Sequence, residues 1–123
     1  MEKVKILIVD DEQVVLDSCR KILASEGFEV FLASSAVEAL EAMKTDEFSL
    51  LLVDVKMPEH DGMYLIRELN EHWLGTPVMV MSGYHTAQTI EEAKQRGAVS
   101  FIYKPFTPDE LIDSVRNAIH LLK

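Results

Sequence analysis

The sequence has few of the residues that mark secreted, membrane-embedded or disordered chains. Its one cysteine, Cys19, cannot form an internal disulfide, and its 123 residues contain only five glycines and four prolines. No apolar run approaches the roughly 18 residues that cross a bilayer, and no N-terminal segment joins basic residues to an apolar stretch and a cleavage site. We therefore predict an ordered, soluble and reduced protein in the cytoplasm.

Basic residues are scarce as well. The chain carries 12 lysines and arginines against 21 aspartates and glutamates, which gives a formal charge of −9 at pH 7. A surface of that sign repels nucleic-acid backbones and anionic lipid headgroups. Direct binding of this chain to nucleic acid or to a membrane is therefore not expected.

Apolar residues recur in a pattern that alternates strands with helices. Five runs have strand length, at 4–9, 28–33, 50–53, 78–81 and 99–103, and the second is interrupted by Glu29, which suits an edge strand. The segments between and after them have helical spacing, with predicted core stripes at Val15, Cys19 and Ile22; Val37, Leu40 and Met43; Ile66, Leu69 and Trp73; Ala87, Ile90 and Ala93; and Leu111, Val115 and Ile119. This alternation predicts a single α/β domain over residues 1–123, with a doubly wound parallel sheet and helices on both faces.

Several residues mark the ends of the predicted helices. Ser35 and Thr107 are each followed three residues later by glutamate, which is the spacing of a capping box. Gly27 and Gly97 fall where helices commonly end in a left-handed residue. The fourth helix has the smallest apolar stripe, so we expect it to be the least firmly packed and a candidate moving part.

Polar side chains able to do chemistry follow four of the five apolar runs. Asp10 and Asp11 come after the first, Asp54 after the third, Ser82 after the fourth and Lys104 after the fifth. In an open parallel sheet the carboxyl ends of the strands form one rim, where ligands bind. We therefore predict that these five residues share a pocket.

The chemistry of such a pocket favours a metal ion and a phosphoryl group. Three carboxylates repel one another unless a cation compensates them, and Mg²⁺ suits oxygen ligands, whereas the chain offers no Cys/His cluster for zinc. Asp54 would then be the nucleophile. Lys104 and the metal would neutralise the phosphoryl oxygens, and Ser82 would donate a hydrogen bond.

Four separated motifs resemble the signature of response regulator receiver domains, over essentially the whole chain. They are IVDDE at 8–12, DVKMPEHDG at 54–62, Ser82 and YKPF at 103–106. The resemblance implies a flavodoxin-like three-layer sandwich with strand order 2-1-3-4-5. It also implies that Asp54 receives a phosphoryl group from the phosphohistidine of a sensor histidine kinase or phosphotransfer protein, and that the domain acts on its own phosphoryl group without being a turnover enzyme.

The resemblance further implies which groups hold the metal. Asp11 and Asp54 would bind Mg²⁺ directly, with Mn²⁺ as a substitute, and Asp10 would bind it through water. The backbone carbonyl of Lys56 would complete the protein ligands, and Lys104 would contact the phosphoryl group.

A two-state surface is implied as well. Ser82 would shift toward the phosphoryl oxygen as Tyr103 turns inward, and the Lys104–Pro105 peptide would be cis. These changes would alter the face formed by the fourth helix, fifth strand and fifth helix, which would bind an output domain or an effector protein. The family pattern also allows a phosphorylation-dependent homodimer.

Three positions near the site vary within the family pattern. Gly83 follows Ser82 where a small residue such as alanine is usual, which predicts a more open entrance and a more flexible loop. Lys56 and Tyr84 stand two residues after Asp54 and Ser82, at positions that resemble the family's modulators of phosphate lifetime.

Three other functions compete with this interpretation. A flavin carrier on the same fold would cradle the flavin phosphate in a loop rich in hydroxyls and glycine, but residues 10–13 are Asp-Asp-Glu-Gln and would repel it. A phosphohydrolase resembling the haloacid dehalogenase group would place a D-x-D pair after the first strand and carry a cap domain, and the sequence shows neither. A degenerate receiver used only for protein contacts is disfavoured because all five site residues are present.

Overall fold

Within the residues that the structure describes, five strands alternate with five helices. The computed structural model describes residues 4–56, 61–73, 75–83 and 87–120, and their side chains except those of 61 and 87–89. The strands are β1 (Lys5–Val9), β2 (Glu29–Ala33), β3 (Leu50–Asp54), β4 (Val78–Ser82) and β5 (Ser100–Tyr103). The helices are α1 (Gln13–Ser25), α2 (Ala36–Thr45), α3 (Asp61–His72), α4 (Ala87–Gln95) and α5 (Pro108–His120).

The strands form one parallel sheet in the order β2-β1-β3-β4-β5, which confirms the predicted fold class and strand order. β2, the strand that begins at Glu29, lies at one edge and β5 lies at the other. The central strands are in close register, since Val9 pairs with Val53 and Asp54 pairs with Met81. Because all strands run in one direction, their carboxyl ends lie along one rim, and the strand order reverses there between β1 and β3.

Alternate residues of the strands face two separate cores, one on each side of the sheet. Leu7, Val9, Leu51 and Val53 face the core that includes residues of α2, α3 and α4. Ile6, Ile8, Leu50 and Leu52 face the core that includes residues of α1 and α5. This period of two on strands buried on both faces gives the three-layer sandwich that the family resemblance implied.

Two of the predicted helix stripes differ from the observed core faces. Val37 was expected in the core but is 70% exposed, and α2 instead buries Ala36, Ala39 and Met43. In α1 the buried residues other than Cys19 are Leu16 and Leu23, one position along from the predicted stripe. The predicted stripe was based on large apolar side chains and therefore missed the alanines of α2. Small side chains on that face let the helix approach the sheet closely.

The predicted helix ends agree with the structure, with one change of partner. Thr107 and Glu110 form a complete capping box: the Glu110 N–H donates to Thr107 Oγ1 at 3.1 Å, and the Thr107 N–H donates to Glu110 Oε1 at 2.9 Å. Ser35 caps α2 in the same way, but Glu38 accepts from the backbone of Ser34 instead of returning to Ser35. Gly27 and Gly97 have φ values of +92° and +112°, as their C-terminal positions require.

The helix α4 is thinly packed, as its short apolar stripe predicts. Among its described side chains Ala93 is buried, Ile90 and Glu92 are half-buried, and the others are exposed; the side chain of Ala87 lies outside the described residues. Its role as a moving part remains a prediction. Of the helices in the described ranges, none has both the length and the apolar content that crossing a membrane requires.

Candidate functional site

All five predicted site residues lie at the carboxyl-terminal rim of the sheet, four of them directly at the ends of strands. Asp54 and Ser82 are the last residues of β3 and β4, and Asp10 and Lys104 follow directly on β1 and β5. Backbone hydrogen bonds to neighbouring strands hold Asp10 and Lys104 in place. The Asp10 N–H donates to the Ala33 carbonyl at 3.2 Å, and the Lys104 N–H donates to the Ser82 carbonyl at 2.9 Å. The side chains of Asp10, Asp54 and Ser82 are buried.

The ammonium group of Lys104 bridges two buried carboxylates. Its Nζ donates to Asp10 Oδ2 at 2.7 Å and to Asp54 Oδ2 at 3.1 Å. The side chain of Lys104 is only 18% exposed, while those of Asp10 and Asp54 are almost completely buried. A charge-assisted pair of this kind is strong because little water screens it.

The second oxygen of each carboxylate is held by the backbone. Asp10 Oδ1 accepts from the Glu12 N–H at 2.9 Å, and Asp54 Oδ1 accepts from the Lys56 N–H at 2.9 Å. In both cases the donor lies two residues further along the chain, as in an Asx-turn. The turn after each strand therefore fixes the orientation of the carboxylate that ends it.

Partial burial and mutual contact shift the pKa values of Asp10 and Lys104. Burial raises the pKa of Asp10, against the opposing effects of the Lys104 and Glu12 hydrogen bonds. Burial would lower the pKa of Lys104, but the hydrogen bond to Asp10 and the charges of Asp54 and Asp10 outweigh it, so the pKa of Lys104 is raised. Lys104 is therefore cationic at neutral pH, and one cation faces two carboxylates.

Two exposed acidic residues extend this site toward solvent. Oxygen atoms of Asp10, Asp11, Glu12 and Asp54 lie within 4.8 Å of one another. This all-oxygen set fits a hard divalent cation such as Mg²⁺. Sequence reasoning assigned Asp10, Asp11 and Asp54 to a metal but missed Glu12, although it directly follows the acidic pair and precedes α1.

The expected switch residues lie next to each other in the sheet. Ser82 and Tyr103 are register partners on β4 and β5, with Ser82 buried and Tyr103 47% exposed. The Lys104–Pro105 peptide after them is cis, the geometry that the resemblance implies. Lys56 is exposed just beyond β3, whereas Tyr84 and residues 57–60 of the second motif lie outside the described residues.

An apolar groove adjoins Lys104 on the α1 side of the site. It is lined by Val14, Val15, Cys19 and Phe106, among others, and Val14 is 76% exposed. This groove had no counterpart in the sequence reasoning, because it depends on how α1 meets the segment that follows β5.

Comparison with known proteins agrees with the fold. The model of the response regulator receiver domain family matches residues 6–116. Regulatory protein AtoC of Escherichia coli (strain K12) is 37% identical over 117 residues, and sporulation initiation phosphotransferase F of Bacillus subtilis (strain 168) is 31% identical over 117 residues. The crystal structure of a CheY-like receiver domain protein from Methanospirillum hungatei JF-1 superposes with a TM-score of 0.93 at 30% identity, covering 98% of this chain and 97% of that one.

These relatives differ in how much of their length the chain represents. The match to AtoC covers 95% of this chain but 25% of that protein, whereas the match to the phosphotransferase covers 95% of this chain and 94% of that protein. The same segment therefore occurs both within much longer proteins and as nearly the whole of a short one.

Proposed function

This chain belongs to the response regulator receiver domain family of two-component signalling, and on that basis we propose that Asp54 accepts a phosphoryl group and thereby switches a protein-binding surface. The observation that carries the proposal is the Lys104 bridge. One half-buried ammonium group lies 2.7 Å from Asp10 and 3.1 Å from Asp54, so a cation already stands beside the carboxylate that would react. A phosphoryl group on Asp54 would bring its oxygens to that cation.

The chemistry requires only positioning and charge. A carboxylate oxygen of Asp54 would form the new P–O bond as the P–N bond to the donor histidine breaks, with Lys104 neutralising a phosphoryl oxygen and Ser82 donating a hydrogen bond. Mg²⁺, held by Asp11, Asp54 and the Lys56 carbonyl with Asp10 behind a water, would supply further neutralisation of the phosphoryl charge. Hydrolysis of the acyl phosphate would return the domain to its resting state without turnover of a separate substrate.

The proposed partners follow from the family and from the surface of the chain. The donor is a sensor histidine kinase or a phosphotransfer protein, and the groove at Val14 and Phe106 beside Lys104 suits the docking of that donor. A protein named as a phosphotransferase is 31% identical over nearly its whole length, which supports phosphoryl transfer as the activity. An output domain or effector would bind the α4-β5-α5 face in the cytoplasm, and a phosphorylation-dependent homodimer stays a prediction.

Competing functions have less support from the site. Flavin binding would place an anionic phosphate against the acidic cluster at Asp10, Asp11 and Glu12, which repels it. The degenerate receiver is not favoured, because Lys104 contacts both Asp10 and Asp54, as a functional site requires.

A labelling experiment tests the proposal. With acetyl phosphate and MgCl₂, the wild type should gain one phosphoryl group by intact-mass spectrometry, and the Asp54→Asn variant should gain none. Glu68→Gln on α3 serves as the control, because it also removes one negative charge but lies away from the rim. Labelling that persists without Asp54, or that is absent from the folded wild type, would contradict the assignment.

A further inference from the structure

Gly62 contacts the backbone of the strand that carries Asp54. It is the second residue of α3 and is buried. A Cβ added at this position would lie 2.5 Å from the Cα of Val55 and 3.0 Å from its carbonyl carbon, and closer still to the carbonyl oxygen of Asp54. All of these are backbone atoms, so no change of side-chain rotamer could relieve the overlap.

Both sides of this contact are fixed by other parts of the fold. On the strand side, Asp54 is paired with Met81 in the sheet, and the Val55 N–H donates to the Met81 carbonyl at 3.3 Å. On the helix side, Leu65 and Ile66 of α3 are completely buried. A methyl group at residue 62 would therefore force the acceptor backbone and the helix apart by roughly 1 Å, since neither can yield locally.

We propose that Gly62 is a positioning residue for the phosphoacceptor: the first turn of α3 sets the place of Asp54 by direct backbone contact. This inference rests on the proposed function of Asp54. The contact lies one residue before Lys56, whose N–H orients Asp54 Oδ1 at 2.9 Å and whose carbonyl is the proposed metal ligand. A shift at Val55 thus moves the reacting carboxylate and the metal ligand together.

Displacing the backbone at Val55 should lower the rate of Asp54 phosphorylation as well as the stability of the fold. Misplacement of a reacting group by about 1 Å can lower a rate by about a hundredfold, because catalysis here depends on positioning. Gly62→Ala should therefore slow phosphorylation of Asp54 by acetyl phosphate by about tenfold to a hundredfold, and it should weaken Mg²⁺ binding by about tenfold as well.

Gly97→Ala is the matched control. Gly97 also lacks room for a Cβ, which would lie 2.5 Å from Oδ1 of Asn70, and its φ of +112° disfavours alanine. It precedes β5 and so lies at the amino-terminal edge of the sheet, away from the rim that holds Asp54. Alanine there should lower stability while leaving the labelling rate and the Mg²⁺ affinity within about twofold of wild type.

The experiment measures labelling rate by intact-mass spectrometry and the Mg²⁺ dissociation constant by calorimetry, each corrected for the folded fraction. Slower labelling and weaker Mg²⁺ binding in Gly62→Ala, but not in Gly97→Ala, support the proposal. Equal behaviour of the two variants overturns it. A wild type that is not labelled at Asp54 would instead contradict the proposed function, so the two failures are distinguishable.

A second pair of variants decides the matter if Gly62→Ala does not fold. Met63 is buried in the first turn of α3 beside Gly62, and Met43 is equally buried near the far end of α2. Met63→Ala should loosen the helix start and slow labelling severalfold, whereas Met43→Ala should lower stability alone. If both methionine variants are labelled at the wild-type rate, α3 does not position Asp54.

Discussion

At the scale of the residue, the site depends on one lysine that faces two carboxylates. Asp10 and Asp54 are buried, and Lys104 is the described cation within hydrogen-bonding distance of both. Removing one partner of a buried ion pair lowers stability, because the remaining charge is buried without a partner and without full hydration. Lys104 is therefore expected to serve stability as well as phosphoryl transfer.

The Lys104→Met variant tests this double role. It keeps the apolar stem but leaves Asp10 and Asp54 facing each other, so the free energy of unfolding in EDTA at pH 7 should fall by about 3–5 kcal/mol. Urea denaturation measures it. The deficit should shrink in acid, because the pKa of Asp10 is already raised by burial and the unpaired carboxylate is neutralised there.

Lys94→Met is the control for the loss of a lysine charge. Lys94 lies 5.9 Å from the ring centre of Phe101 on the surface, and its removal should cost less than about 1 kcal/mol. A Lys104 variant that is no less stable than this control would show that the bridge contributes nothing to folding.

Cys19 gives a prediction about pH. Burial, together with the charge of Asp10, raises the pKa of its thiol from 9.0 to about 11. A pKa raised on folding means that the associated stability is complete below pH 9 and is lost as pH rises toward 11. The wild type should therefore lose about 2 kcal/mol between these limits that a Cys19→Ala variant does not lose.

Urea titrations of both proteins from pH 7 to pH 11 measure this difference. Thiol alkylation provides an independent check: native Cys19 should react slowly at pH 8 and rapidly after unfolding, because the thiolate is the reactive form. Rapid alkylation of the native protein at pH 8 would contradict the raised pKa.

At the scale of the element, side-chain caps stabilise the first turns of α2 and α5. α5 begins with a complete capping box in which Thr107 and Glu110 bond each other's backbone. These bonds satisfy N–H groups that a helix leaves without partners at its start. Because α5 begins shortly after the site residue Lys104, its cap also fixes the end of the segment that joins Lys104 to α5.

Removing this cap should weaken the domain measurably. Thr107→Ala is expected to lower the free energy of unfolding by about 1 kcal/mol, and Thr107→Ser should restore most of it. Urea denaturation at pH 7 gives both values. Thr45→Ala, which removes an exposed hydroxyl at the C-terminal end of α2, should have a smaller effect. An effect equal to that of Thr107→Ala would argue against capping as the cause.

At the scale of the whole molecule, the charge of the chain and the acidic site act together. The net charge is −9, and four carboxylates cluster at one rim of the sheet, where Lys104 contacts two of them. A divalent cation that binds the folded rim but not the unfolded chain must stabilise the fold. Binding of Mg²⁺ to this acidic cluster would therefore raise the stability of the domain.

We expect Mg²⁺ to raise the unfolding midpoint of the wild type. A concentration ten times the dissociation constant adds about 1.4 kcal/mol, and EDTA should remove that gain. Thermal scans should be run at matched ionic strength, because added salt also screens the repulsion of a chain charged −9. Asp11→Asn should lose the gain, and Glu41→Gln, at an exposed position on α2, should keep it; equal gains in the two variants would place the metal elsewhere.

Much of the fold and of the site follows from sequence patterns that act locally. The apolar runs identified the five strands to within one residue at each end, and Thr107, Gly27 and Gly97 identified helix ends by their own backbone chemistry. Asp10, Asp54, Ser82 and Lys104 could be predicted as neighbours because parallel strands bring their carboxyl ends to one rim.

The sequence by itself therefore determined the strand and helix order, the family, and which side chains share the rim. Tertiary structure alone decided that Lys104 bonds both Asp10 and Asp54, across 94 and 50 residues, and that α3 touches the backbone of Asp54 and Val55 at Gly62. It also decided that Val37 faces solvent while the alanines of α2 face the core. The reason is physical: local patterns set the period of each element, but coulombic and van der Waals contacts depend on distances through space between elements that no local pattern contains.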